Sequence, residues 1–518
     1  MGRAGSISKN SIGGSYLKCE VFDVFYRCID IVVMATHTFR TGIIGSGFSG
    51  LCMGIRLKEA GYHDFVILEK ADDLGGTWRD NTYPGAACDI PSALYSYSFE
   101  NSVFHEAYSG QKVLLDYLRC MADTHNITPH IRYGKRVVHA QFDRNQWRIK
   151  TKDGNVYLCQ FIVSAVGQLH HPHIPDIQGG TDSFQGHSFH TAQWDDSVET
   201  QGKRIGIVGS AASAVQAIPE LARVASHLEV YHRSANYVCP RLVGEYSPWT
   251  RRVVNTFPFL HRMHRWILWC LGEYLLLPAI HGHVFQSVVL KAICSLNLMW
   301  NIRDTKLRDI LTPNYPVCAK RILFSSNYYP ALMRDNVCVN TNGIKRIDAT
   351  GISDMADNHT PLDIIVYATG FRTNQLLCDM KIIGRNDLTL EETWSDRAHA
   401  YLGVATHGFP NFFFLYGPNT NLGHSSVLLM IEPQVELIIR AFNYMKEKGT
   451  AVIEVQKSVE EAFVKEVDRR AQHLAFTKVD SSWYLVNGKL SGNWIGGVAE
   501  YERRMKAVDW AQEFEFGT

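Results

Sequence analysis

No two of the chain's 12 cysteines are spaced as CxxC, and its 22 histidines include no HExxH. These absences speak against a structural zinc site and against a thioredoxin-like redox pair, so no metal is expected. Reduced, mostly buried thiols in a cytoplasmic protein fit the pattern. Long apolar runs are also missing. The longest membrane-like stretch, Tyr274 to Leu290, contains Pro278, His281, His283 and Gln286. It falls short of the ~20 apolar residues a spanning helix needs. A buried helical insertion is the better reading, with loose membrane association through Trp266, Trp269 and Tyr274 as the alternative. An excess of either charge is absent too, since 52 basic residues face 51 acidic ones. The net charge of +1 gives no global attraction to nucleic acid.

A secretory signal is not visible either, because Lys18, Glu20, Asp23, Arg27 and Asp30 interrupt the early apolar positions. Met1-Gly2-Arg3-Ala4-Gly5-Ser6 formally fits a myristoylation pattern. Met34 is the alternative functional start, as the first expected strand begins a few residues later. Residues 1–37 are read as a poorly ordered extension. With 518 residues, 46% of them apolar and 20% charged, the remainder suits two or three soluble domains.

What is present is a pair of glycine-rich loops. The first, Gly45-Ser46-Gly47-Phe48-Ser49-Gly50, follows an apolar strand and opens a helix. Gly45 permits the tight turn, Gly47 lets backbone approach a pyrophosphate, and Gly50 lets helix and strand pack closely. The next apolar strand, Phe65-Val66-Ile67-Leu68, ends in Glu69, an acid placed to accept hydrogen bonds from ribose hydroxyls. The second loop is Gly209-Ser210-Ala211-Ala212-Ser213-Ala214, with alanine at the second and third glycine positions. Its following strand ends in His232-Arg233 instead of an acid. A guanidinium pairs with a phosphate and gains nothing from a bare diol, so Arg233 points to NADPH. Taken alone, it reads equally well as a solvated strand-end charge.

Between the loops runs Phe184-Gln185-Gly186-His187-Ser188-Phe189-His190-Thr191-Ala192-Gln193-Trp194-Asp195, of the form FxGxxxHTxxW. A second long pattern is Gly75-Gly76-Thr77-Trp78, continuing through Tyr83-Pro84-Gly85 to Asp89. Tyr367-Ala368-Thr369-Gly370-Phe371 and Gly417-Pro418-Asn419-Thr420 extend the match. Together these resemble the type I Baeyer–Villiger monooxygenases, from about Thr41 to Arg504. Ser482-Trp483-Tyr484 and Asn493-Trp494 are similar to the branch containing 4-hydroxyacetophenone monooxygenase and tailoring enzymes of secondary metabolism. Ile495-Gly496 stands where that branch has Pro-Gly.

The resemblance implies FAD at the first loop, with Thr77, Trp78, Asp89 and Tyr95 among its contacts, and NADPH at the second. It implies insertion of one oxygen atom of O2 beside a ketone carbonyl, through a C4a-peroxyflavin, to give an ester or lactone. It carries a catalytic role onto Arg321 and an orienting role onto Asp89. It also places Lys320 on the NADPH phosphate and His190 against the nicotinamide dinucleotide. Judged alone, Arg321 reads as a structural ion-pair residue and Asp89 as a turn cap. The alternatives in function are a flavin monooxygenase of nitrogen or sulfur, an NADPH-dependent flavoprotein reductase, and a nucleotide-binding protein without activity.

The expected fold is α/β, with two Rossmann-like dinucleotide-binding domains and a helical insertion. The FAD domain is expected over 38–180 and 365–518. The NADPH domain is expected over 181–364, with the insertion at about 245–312.

Overall fold

The computed structural model describes residues 35–101, 104–241, 243–373, 375–479 and 484–517. The amino-terminal myristoylation pattern, the alternative start at Met34, and Ser482-Trp483 lie outside the described residues.

Two sheets organise the chain. In the first, Thr36–Ile44 lies at the centre, parallel to Phe65–Leu68 on one side and to Val156–Ser164 on the other. Each of these strands is buried at its carboxyl end, which is why they read as continuous apolar runs. Two antiparallel strands, Val137–Asp143 and Gln146–Thr151, continue the sheet outward. Phe412–Phe414 returns from far along the chain to pair with Val156–Ser164. Helix α1 (Phe48–Glu59) packs on this sheet through Leu51, Met53 and Ile55, none of them exposed.

The second sheet is wholly parallel, ordered Val337–Asn340, His227–Tyr231, Arg204–Val208, Ile364–Tyr367 and His187–His190. Helix α2 (Ala212–Val224) covers it through Ala214, Ile218 and Leu221. The expected division at 364/365 falls inside a strand, because Ile364–Tyr367 is hydrogen-bonded between Arg204–Val208 and His187–His190. The turn after that strand carries the Ala368-Thr369-Gly370 match.

Between the second sheet's strands, residues 248–310 form helices, including α3 (Pro258–Leu271) and α4 (Val284–Asn301). Their inner sides join the first sheet's core through Ala279, Ile280, Leu290 and Cys294. No single helix among the described residues is long and apolar enough to cross a membrane. One bent pair, Pro258–Ile280 with Val284–Asn301 at 103°, passes by length and composition together.

Candidate active site

The first nucleotide loop is built by close backbone contacts. Gly45 has φ +103°, and a Cβ there would lie 2.7 Å from the Ala165 carbonyl oxygen. Gly47 caps α1, with no side chain on the cap and no acid in the first turn. The helix therefore presents free N–H groups and its positive dipole end, a ready anion site. Gly76 faces Gly47, its would-be Cβ 3.4 Å from the Gly47 Cα. This leaves a cradle of bare backbone between Ser46 and Thr77, into which the short helix Thr77–Asp80 opens.

Glu69 is almost wholly buried and saturated. Its Oε2 accepts from the Ser46 N–H and Oγ at 2.9 and 2.7 Å. Its Oε1 accepts from the Ala71 N–H and Arg79 Nη1, both at 3.0 Å. Four donors fill a carboxylate's capacity. Glu69 thus ties the loop together. Beyond the cradle the Trp78 indole donates to the Tyr95 hydroxyl at 3.2 Å, and Phe48 meets the Tyr95 ring edge-on at 4.9 Å. Ser49 and Gly50 are buried in the first turn of α1.

The second loop repeats the device. Gly209 has φ +129°, and a Cβ would come within 2.2 Å of the Ala368 carbonyl oxygen. Ala211 caps α2, again with no capping side chain and no acid in the first turn. Ala212 and Ser213 begin the helix. Ser210 Oγ donates to the Ser234 carbonyl at 3.0 Å, and Lys320 Nζ donates to Ser234 Oγ at 3.0 Å. Lys320 also lies 4.7 Å over the Tyr315 ring. Burial, then the charge of Arg233, lowers the Lys320 pKa. Among the described residues neither cation has a carboxylate partner. Two such cations, one of them bonded to a serine hydroxyl, suit a phosphate group. Ser234 was missed in the sequence, although it directly follows Arg233.

His190 sits at the carboxyl end of its strand, level with Val208 across Tyr367. Its side chain is fully buried, accepts from the Ala192 N–H at 3.1 Å, and meets Phe371 edge-on. Burial pushes its pKa down to about 4. This imidazole is not on an open surface.

Arg321 and Asp89 do come together, 232 residues apart in sequence. Arg321 Nε donates to Asp89 Oδ2 at 2.6 Å and Nη2 to Oδ1 at 3.0 Å, a bidentate pair. Nη1 donates to the Leu422 carbonyl at 2.9 Å. Both side chains are 21% exposed. Burial works against the guanidinium charge, but the Asp89 charge and hydrogen bonds prevail and raise its pKa above the ordinary value. The cation is permanent at any working pH.

Asp89 owes its place to a residue that the sequence did not single out. Gln216, on α2, donates to the Ala87 carbonyl at 2.9 Å and accepts from the Tyr83 hydroxyl at 2.7 Å. Gly85 passes so close to α2 that a Cβ would lie 2.4 Å from the Gln216 carbonyl oxygen. The helix behind the second loop thereby holds the segment carrying Asp89. A lone amide between Val215 and Ala217 was the available signal.

A narrow cleft of about 390 Å³, including its open mouth, surrounds Arg321 and is lined by Ile90, Leu276, Ile280, Phe324, His424 and Phe476. His424 was also missed. Its Nε2 lies 3.0 Å from Glu273 Oε1, which accepts from the Val498 N–H at 2.8 Å. Burial opposes the Glu273 charge, yet these two hydrogen bonds hold its pKa below the usual value. Two groups could gather a metal ion, His171 with Cys378 and Asp379, and His227 with Glu229 and Cys338. Neither includes a residue of the cleft.

Residues 43–259 match the family described as pyridine nucleotide-disulphide oxidoreductase. A Baeyer–Villiger monooxygenase of Streptomyces coelicolor is 36% identical over 91% of this chain and 92% of its own length. The FAD-binding monooxygenase ktnD of Aspergillus niger is 37% identical over 90% of this chain and 80% of its own. The crystal structure of cyclohexanone monooxygenase from Rhodococcus sp. Phi1 bound to NADP+ superposes with a TM-score of 0.85. It is 27% identical and covers 93% of this chain and 100% of that one. The two nucleotide loops, the Arg321–Asp89 pair at the cleft and these likenesses over nearly the whole length lead to one conclusion: the chain belongs to the Baeyer–Villiger monooxygenases.

Proposed function

We propose that this enzyme binds FAD at the first loop and NADPH at the second and inserts one oxygen atom of O2 beside a ketone carbonyl. Ketone, O2, NADPH and a proton give the ester or lactone, NADP+ and water. The first sheet, with the chain on either side of the second, forms the FAD unit, and the segment from about 181 to 367 the NADPH unit. The observation that carries the reading is the bidentate Arg321–Asp89 pair at the cleft.

FAD, when bound, supplies the oxygen chemistry. The chain's own contribution is a fixed cation that cannot give up its proton. Arg321 stabilises negative charge on the attacking oxygen and then on the carbonyl oxygen under attack, as an oxyanion hole does. Asp89 and the Leu422 carbonyl engage three of its nitrogens and aim the planar group. Asp89 also offsets the cost of keeping an arginine in a half-closed site. The apolar walls, Ile90, Leu276, Ile280 and Phe476, exclude water and suit a carbon-rich ketone. NADPH is an intracellular reductant, in keeping with a cytoplasmic enzyme.

Lys320 and Arg233 hold the 2′-phosphate that distinguishes NADPH from NADH. Lys320→Ala is expected to raise the KM for NADPH roughly tenfold or more, the loss of a charge-assisted hydrogen bond. The KM for NADH should barely move. Steady-state kinetics with both nucleotides check this, and equal effects on both would remove Lys320 from the phosphate site.

The decisive experiment incubates the yellow holoenzyme with NADPH, 18O2 and a panel of ketones, with mass spectrometry of the products. One labelled oxygen in an ester or lactone is expected. Labelled sulfoxides or N-oxides with no ester would overturn the reading in favour of electrophilic oxygenation.

A further inference from the structure

From Pro248 to Asn301 the chain carries a single acid, Glu273, and that one is buried against His424. Arg252, Arg262 and Lys291 in the same stretch are exposed. So are large apolar side chains. On α3, Phe259, Met263 and Trp266 recur at helical spacing on one side and are exposed. On α4 the outward residues Phe285, Val288, Leu296 and Met299 also share one side, opposite the buried stripe Leu290, Cys294 and Leu298. Trp300 at the end of α4 is 87% exposed and Phe285 is 75% exposed.

Helix α4 is thus apolar on both sides with one charge in 18 residues, a composition that calls for burial on both sides. The protein covers only one of them. We propose that the outer side of this insertion docks on an anionic lipid surface, lying in the interface and not crossing it.

Three observations choose this occupant. The aromatic and basic mixture, with tryptophan and tyrosine among the exposed residues, matches the headgroup boundary of a bilayer. A bend of 103° between two helical arms suits a surface lying in the interface. The charge settles the remaining choice. A two-fold contact between copies of the chain would set Arg252, Arg262 and Lys291 against the same stretch, whose one acid, Glu273, is buried, the exposed acids Glu245, Asp304 and Asp309 lying outside it. Anionic headgroups supply that complement. The inner side of the same helical region, at Leu276 and Ile280, lines the cleft beside Arg321. Docking here would bring the cleft's apolar wall close to the lipid, and it holds whatever the oxygenated substrate proves to be.

Flotation of the FAD-loaded full chain with vesicles of phosphatidylcholine alone, or mixed with phosphatidylserine, tests the proposal. The protein is expected to float with the mixed vesicles, much less with phosphatidylcholine alone, and less as salt is raised. Arg252→Gln, Arg262→Gln and Lys291→Gln should each lower partitioning roughly fivefold. Phe285→Ser with Trp300→Ser should abolish it, while NADPH-driven flavin reduction in solution is unchanged. Should the aromatic variant fail to fold, the charge variants decide alone. No flotation with either vesicle overturns the proposal. So does a dimer in analytical ultracentrifugation that the aromatic variant splits while flotation is unaltered, since the face would then belong to a second copy. Flotation only of a chain begun at Met34 would also overturn it, assigning the face to the chain's own first residues.

Discussion

Arg321→Ala is expected to abolish ester formation while NADPH-driven reduction of FAD continues. The electrons would then leave as hydrogen peroxide. Removing a single neutral oxyanion donor from an enzyme typically costs roughly 10²–10³ in turnover. Arg321 is a full charge with low exposure, so the loss should be at least about 10³. The two half-reactions separate because the guanidinium is bound to Asp89 and Leu422, whereas the candidate phosphate contacts, Lys320 and Ser234, form a different set. Arg321→Lys is the sharper comparison. It keeps the charge but loses the fork that holds both Asp89 oxygens, and should recover only a minor part of the activity. Product analysis against NADPH consumption reads the split. Ester formation at the normal rate in Arg321→Ala would remove the residue from the mechanism. Thermal unfolding should accompany the assay, since Asp89 loses its partner and breaking a buried pair costs about 3–5 kcal/mol. A stability loss cannot by itself uncouple NADPH use from product.

The two nucleotide loops were legible because their requirements are local. A strand that turns at φ +103° or +129° and opens an uncapped helix needs glycine at Gly45 and Gly209, and the sequence states that need within ten residues. The cation pair at the second loop was half legible: Arg233 ends its strand, whereas Lys320 joins it from 87 residues on. The Arg321–Asp89 pair rested on resemblance, for no spacing rule links residues 232 positions apart. Gln216 and His424 escaped for the same physical reason. Gln216 acts across 129 residues on Ala87, and His424 across 151 on Glu273. Each is an ordinary polar residue until the fold supplies its partner. Glu69 was legible only as a strand-end acid; its contacts with Ser46 and Arg79 depend on the turn itself.

Gly50→Ala is expected to yield protein with little or no bound FAD. The added Cβ would lie 1.9 Å from the Gly45 carbonyl oxygen and 3.6 Å from the Ala165 side chain. Neither can retreat cheaply. Gly45 is pinned by its own N–H to the Leu68 carbonyl at 2.9 Å, and its position already sits against the Ala165 carbonyl. The first turn of α1 must therefore lift off the strand. That turn carries the free N–H groups offered to the pyrophosphate, and its neighbour Ser46 would lose the Glu69 contacts that set the loop. Overpacking a core by one methyl typically costs about 1–3 kcal/mol, and a collision with backbone belongs at the upper end. Because the strain falls on the binding turn, the penalty should appear first as cofactor loss, at least tenfold in FAD affinity for about 1.4 kcal/mol. Gly61→Ala is the control. It also has a positive φ, +82°, but nothing lies within 4 Å of its Cβ. It should cost about 1 kcal/mol of stability and leave the protein yellow. The ratio of flavin to protein absorbance after purification, followed by titration of FAD into the stripped protein, distinguishes the two. Normal flavin content in Gly50→Ala would mean that helix and strand can separate without disturbing the cradle, and that the close packing at Gly50 is not what builds the site.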